Sequence, residues 1–402
     1  MTTDDTLSTG AEAPRRTTPL RQATIDLGAY RRNLRVLRRL VEPAELMAVV
    51  KADGYGHGAV PLVEAAVIAG VRWFGVLELA NAHVLRAAGV ETSIAVFAWQ
   101  FGPHESFDRA VAESIDLGVS TLPQLETVGR AARTIAVAAA PDARGGAEVR
   151  TPGLVHLNVD TGLHRDGALG DEWLPLVRRA VELRDAGLIR LRGVFSHLAE
   201  ASDEEDTEAA RRLAEAVASA EALGARFERQ HLTASSAGME RPELRLDMVR
   251  MGSNTYGIPV TDGVSASDRG LEPVMTLTAS VARVKRVPEG SGVSYDFTYR
   301  TPRETTLALV PVGYADGISR RAQHGVSVAL HGRRYPIVGR VAMDQFLIDV
   351  GDDPVEVGDE VVLFGSGSRG EMTIGEFADA IGTIGEEVAC GIGARVPRVY
   401  VG

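Results

Sequence analysis

The chain has 402 residues, 45% hydrophobic and 24% charged, which excludes a disordered protein and supplies apolar surface for a large core. Its 43 Lys+Arg against 54 Asp+Glu give a formal charge of −11, which argues against nucleic acid or anionic membrane as a partner, because both attract a positive field. One cysteine, Cys390, excludes an internal disulfide framework, no metal site is expected, and no apolar run approaches the roughly 18–20 residues of a membrane span.

Residues 1–19 are rich in Thr, Asp, Ala and Pro and read as a disordered tail without a secretory h-region, so a cytoplasmic protein is expected. Arg21–Asp26 is strand-like and is a candidate to pair with strands much later in the chain. Eight apolar runs follow: Glu45–Ala52, Val71–Leu77, Ser93–Trp99, Ile115–Ser120, Leu154–Asp160, Leu191–His197, Gln230–Ser235 and Leu246–Gly252. Interiors such as LMAVV and LRGVF suit parallel strands buried on both faces. Helical stretches lie between them. Asp171–Gly187 sets Leu174, Leu176, Val177, Ala180, Val181 and Leu183 on one face, and Glu204–Gly224 starts with acidic residues. An α/β fold is predicted, with a (β/α)8 TIM-type barrel over residues 20–260. The short interval between the last two runs leaves a doubly wound open sheet as the alternative.

Beyond Gly257 the pattern changes. Pro273–Val287, Thr305–Tyr314, Val326–Leu330, Arg334–Val350 and Glu360–Phe364 are strand-like, with a turn at His331-Gly332-Arg333 and short helical signals at Thr373–Gly382 and Glu386–Gly391. Residues 261–402 are expected to form a smaller, mostly antiparallel β domain.

Barrel active sites lie at the C-terminal ends of the strands. Lys51 closes the first run and precedes a glycine-rich loop, AVVKADGYGHG. A partly desolvated lysine becomes a neutral amine and can form a Schiff base, although a lysine snorkelling at a strand end would read the same way. Asn158, Asp160, Thr161, His164 and Arg165 follow the fifth run, and His197 ends the sixth. Ser235 and Ser236 end the seventh, and Arg250, Gly252 and Ser253 the eighth. Each alone has an ordinary structural explanation. Together they suit a phosphorylated aldehyde cofactor: lysine for the imine, serines and backbone N–H groups for the phosphate, a polar group for the ring nitrogen.

The motifs AVVKADGYGHG, VDTGLHRDG, VFSH, DMVRMGSNTYG, GVSYDFTY, LVPVGYADG, VGRVAMDQF and VPRVY stand in the order seen in alanine racemases, and the chain resembles that family from about residue 21 to 402. The resemblance implies a fold-type III pyridoxal 5′-phosphate enzyme that interconverts L- and D-alanine. It also implies a head-to-tail homodimer whose active sites take residues from both chains. Lys51 matches the lysine that carries the cofactor and acts as one base, and Tyr295 the opposing base supplied by the partner subunit. Tyr55, Ser236, Gly252 and Ser253 match phosphate contacts. His197 and Arg250 match a network reaching the ring nitrogen. Arg165, Met343 and Tyr314 match substrate-side residues.

Four positions depart from the family pattern. Asn158 stands where many members carry a carbamylated lysine, so no carbamate is expected; some members with Asn there bind chloride. Glu386 replaces a phosphate-side tyrosine and is expected to turn away or find another partner. Ser235 replaces an Asn. Asp296 replaces a glycine after Tyr295 and would raise the tyrosine pKa unless paired. Glu386 and Asp296 leave open a larger or polar amino acid such as serine or lysine, or a different reaction such as aldol-type cleavage or decarboxylation. A non-catalytic cofactor-binding protein is disfavoured by Tyr295 and the second domain.

Overall fold

The computed structural model describes residues 19–138, 151–260 and 264–402; residues 1–18 of the expected tail lie outside the described residues. Strand β1 (Arg21–Asp26) is followed by β2 (Glu45–Val49), β3 (Trp73–Val76), β4 (Ala95–Ala98), β5 (Asp116–Val119), β6 (Gly153–Asn158), β7 (Ile189–Phe195), β8 (Arg229–His231) and β9 (Met248–Met251). Strands β2 to β9 pair in parallel and close through β2 against β9, with Leu46 opposite Val249, so the open-sheet alternative is excluded. The ladders are shorter than the apolar runs that predict them. The seventh run ends in particular at His231, and Ser235 opens a helix, Ser235–Glu240, that fills the short interval before β9. The helix expected over 171–187 forms as Trp173–Asp185, with Trp173 buried and Leu174 exposed. Asp203–Ala222 is capped by Ser202, whose side chain accepts the Glu205 N–H, and its acidic first turn faces the positive helix end.

The second sheet comprises β10 (Met275–Ser280), β11 (Arg283–Val287), β14 (Thr305–Val310), β15 (Ser327–Leu330), β16 (Arg333–Val338), β17 (Phe346–Gly351), β18 (Glu360–Gly365), β19 (Met372–Thr373) and β20 (Arg398–Val401), while β12 (Gly292–Val293) and β13 (Tyr299–Arg300) form a separate hairpin. Its order is β11-β14-β17-β16-β15-β18-β10-β1-β20, with β19 beside β18. Strand β1 pairs antiparallel with β10 and parallel with β20, so the start of the barrel chain is stitched into this sheet. The run expected over 334–350 is broken into β16 and β17. Gly339 has φ +69, and a Cβ there would meet the Val293 carbonyl oxygen at 2.5 Å; the loop that continues from it carries Met343.

Asn33, buried on helix Leu27–Val41, joins the barrel to the segment that leaves it. Its amide donates to the carbonyls of Thr255 (3.1 Å) and Glu272 (2.7 Å), and its oxygen accepts the Glu272 N–H (2.8 Å). Asn33→Ala strands these buried groups and is expected to cost about 2–4 kcal/mol, read as a lower urea midpoint.

Candidate active site

Lys51 borders a cavity of about 1400 Å³ between the barrel mouth and loops of the second domain, including Thr373, Ile384 and Glu386. Ligand pockets usually hold roughly 300–1,000 Å³, so this one has room beyond a cofactor and a small amino acid. Strand β2 ends at Val49, and Lys51 opens a tight turn instead of closing the strand. Ala52, Asp53, Gly54, Tyr55 and Gly56 all have positive φ, from 52° to 77°. The turn is clamped from below and behind. The Tyr256 hydroxyl donates to the Val49 carbonyl (2.8 Å), and its ring stacks on His57 and packs against Tyr55 at 4.9 Å. Asp53 accepts the Ala59 N–H (2.8 Å), and Arg398 donates to the Gly56 carbonyl (3.0 Å). Burial, then the positive charge of Arg165, lowers the Lys51 pKa and favours the neutral, nucleophilic amine.

Tyr55, Ser236, Gly252 and Ser253 line this cavity together. Burial keeps the Tyr55 hydroxyl protonated, hence a donor. A Cβ on Gly252 would lie 2.4 Å from that hydroxyl oxygen, so glycine is what lets Tyr55 reach in. The Gly252 N–H is already donated to Ser235 Oγ (3.0 Å). Gly252 thus leaves the space that Tyr55 enters, and Ser235 ties the two loops together. Glu386 does not turn away: it lines the cavity, and Ser253 donates its hydroxyl to Glu386 Oε1 at 2.6 Å.

Arg250, buried at the end of β9, donates to the carbonyls of Ser196 (2.8 Å) and Leu232 (2.9 Å), to His231 Nδ1 (3.0 Å) and to His197 Nδ1 (3.3 Å). A guanidinium only donates, so both imidazoles must accept from it, and the proton of His231 sits on Nε2. His231 Nε2–H donates to His156 Nδ1 (3.0 Å), and His156 Nε2–H to Asp116 (3.1 Å), whose carboxylate also accepts Arg192 Nε (2.9 Å). Burial, then Arg165, lowers the Arg250 pKa to about 9, so it stays charged at neutral pH. Burial, with Arg250 next, lowers His197 to about 3, so it is neutral and keeps its proton on Nε2. Asn158 donates to Ser120 Oγ (3.1 Å), and Arg165 lines the cavity. His164 pairs instead with Asp160 (3.0 Å), and Thr161 bonds Ser196.

Tyr295, Tyr314 and Met343 are not among the residues lining the Lys51 cavity. They lie exposed on the second domain, at 67%, 44% and 53%. The loops that bear them are joined: Tyr314 N–H donates to the Ala342 carbonyl (3.1 Å), Ala315 N–H to the Met343 carbonyl (2.9 Å), and Ser294 Oγ to the Arg340 carbonyl (2.6 Å). Asp296 has φ +59, a left-handed position that Asp tolerates better than most residues, and its carboxylate pairs with Arg340 (2.8 Å). The charge beside Tyr295 is thus paired.

Asp116, His156 and His231 are not among the residues expected from the strand ends; they lie within β5, β6 and β8. For Asp116 and His156 the signal is a polar residue in an otherwise apolar buried strand; His231, in the polar strand Arg229–His231, carries no such signal. Burial also pushes His57 down to about 4 and His231 well below its usual value. A histidine held neutral in the folded state contributes its full stability above the unfolded pKa of about 6.5, and loses it as pH falls toward the folded pKa. His57 alone should make the apo-protein about 2 kcal/mol less stable at pH 5 than at pH 7. Urea unfolding at both pH values checks this, and His57→Gln should reduce the difference by about that amount, leaving the part due to His197 and His231.

Residues 25–259 match the family model of the alanine racemase N-terminal domain, and residues 274–400 that of the C-terminal domain. An alanine racemase of Streptomyces coelicolor is 44% identical over 387 residues, covering 94% of this chain and 95% of that protein. One of Thermobifida fusca is 42% identical over 385 residues, covering 95% and 98%. The crystal structure of alanine racemase from D-cycloserine producing Streptomyces lavendulae matches with a TM-score of 0.89 at 40% identity, covering 96% of this chain and 98% of that one. With both domains matched and the Lys51 cavity formed between them, the chain belongs to the alanine racemase family.

Proposed function

We propose that this protein interconverts L- and D-alanine with pyridoxal 5′-phosphate held on Lys51, using Lys51 and Tyr295 of a second copy as opposed bases. The observation that carries the reading is the separation of the two bases. Lys51 borders a cavity with room left in it, while Tyr295 stands exposed on the other domain beside Tyr314 and Met343. A head-to-tail dimer brings the two sets together.

The residues present fit the cofactor. There is a half-buried amine with a lowered pKa, hydroxyls from Tyr55, Ser236 and Ser253 around a glycine with no room for a Cβ, and a buried guanidinium. When bound, the cofactor supplies a conjugated ring that delocalises the charge left at Cα. Lys51 removes or returns the Cα proton on one face and Tyr295 on the other. Arg250 can only donate, so at the ring nitrogen it would hold that atom unprotonated and restrain side reactions. His197, neutral and accepting on Nδ1, has its Nε2–H to offer the tyrosine oxygen. Arg165 and the Met343 backbone would take the substrate carboxylate, and Tyr314 the entrance. A chloride beside Asn158 would suit its amide and the positive charge of Arg165. We retain a division of the chain near residue 260 and, from the single free cysteine, a cytoplasmic location. The larger-substrate reading weakens, because Glu386 is engaged by Ser253 and Asp296 by Arg340.

A chiral assay of the cofactor-loaded protein against a panel of L-amino acids in deuterated water tests this. Alanine should lead, with deuterium at Cα in both enantiomers. Another leading amino acid, or exchange without inversion, would contradict it. Tyr295→Phe should lower racemisation by about 10²–10⁴-fold while the visible absorbance of the bound cofactor persists. Undiminished turnover in that variant would remove Tyr295 from the mechanism.

A further inference from the structure

Glu386 occupies an unusual place for a carboxylate. It is anchored on helix Gly385–Gly391, which packs on the Lys51 turn: a Cβ on Gly56 would meet the Ala389 carbonyl oxygen at 2.7 Å. Its Oε1 takes the Ser253 hydroxyl proton at 2.6 Å, a charge-assisted length. Ser253, Tyr55 and Ser236 line the cavity with hydroxyls that suit an anion, while the Ser235 hydroxyl is taken up by the Gly252 N–H. A serine hydroxyl has one proton to give. While Glu386 holds it, a bound phosphate cannot, and a phosphate arriving beside the carboxylate meets like charge.

We propose that Glu386 is an internal competitor for the cofactor's phosphate, filling its seat at Ser253 in the cofactor-free chain and loosening the cofactor in the loaded one. This rests on the pyridoxal 5′-phosphate reading above. It assigns to Glu386 control of cofactor retention, not of the amino acid chosen. The carboxylate satisfies Ser253 when the seat is empty, so the cofactor-free protein is stabilised. The loaded protein must rotate Glu386 aside. Both effects act on the phosphate and neither on the aldehyde or ring. Glu386→Gln keeps the shape and can still accept from Ser253, but carries no charge to repel phosphate.

The test is equilibrium binding to cofactor-free protein, followed by visible absorbance and by quenching of tryptophan fluorescence. Pyridoxal 5′-phosphate and its phosphate-free analogue pyridoxal are compared on the wild type, Glu386→Gln and Glu386→Ala, with thermal unfolding of each to confirm folding. Glu386→Gln should bind pyridoxal 5′-phosphate about tenfold or more tightly and release it correspondingly slowly, with pyridoxal affinity unchanged within about twofold. Glu386→Ala should shift the same way, and its cofactor-free form should unfold at a lower temperature than the wild type. An unchanged or weaker affinity for pyridoxal 5′-phosphate in Glu386→Gln, or equal shifts for both ligands, would overturn the proposal. Wild-type protein that binds neither ligand saturably would overturn the cofactor reading itself.

Discussion

The left-handed turn after Lys51 is the constraint on which the rest of the site depends. Five consecutive residues at positive φ, three of them with side chains, would cost about 1–2 kcal/mol for each of those three in isolation. The structure meets that cost with parts drawn from distant segments. Tyr256, placed by the turn after β9, bonds the backbone just before the lysine and stacks under His57. Arg398, next to the chain's end, bonds the carbonyl of Gly56 and three backbone carbonyls of the C-terminal loop. Helix Gly385–Gly391 closes on the same turn and brings Glu386 with it. The lysine is therefore aimed by both domains, and a strained backbone of this kind persists only where its surroundings over-determine it.

The second organising feature is the directional chain inside the barrel. Arg250, His231, His156, Asp116 and Arg192 fill a core that aliphatic side chains would otherwise occupy, and Phe97 and Phe195 pack against the imidazoles. A buried charged network of this sort is a poor source of stability. It has the virtue of geometry: with a donor-only guanidinium at one end and a carboxylate at the other, every proton in between has one place to be. Arg250 is held by two carbonyls and two imidazoles, which leaves its position little freedom at the end that meets the cavity.

Much of this architecture was legible in the sequence. Eight buried apolar runs separated by helical stretches point to a parallel barrel, with closure decided only by the β2–β9 pairing, and Lys51, Tyr55, His197, Ser236, Arg250 and Ser253 follow or end those runs on one rim. Other features depend on long-range geometry that local pattern does not encode. The seventh strand stops early because Ser235 starts a helix, and Gly339 splits a run that reads as continuous. Glu386 reads as a residue that turns away or finds another partner, but the sequence does not name that partner, because Ser253 is 133 positions distant in the chain. His156 and His231 look like incidental polar residues until the barrel closes and places them 3.0 Å apart.

Lys51 and Tyr295, the two proposed bases, stand on surfaces that do not meet within one chain. Complementation tests this most directly. Lys51→Ala and Tyr295→Phe, each inactive alone, are mixed and allowed to exchange subunits. If each active site combines Lys51 of one chain with Tyr295 of the other, half the dimers become mixed and each carries one intact site. The mixture should then recover about a quarter of wild-type racemisation. No recovery despite demonstrated exchange, or full activity in a protein shown to be monomeric, would contradict the account.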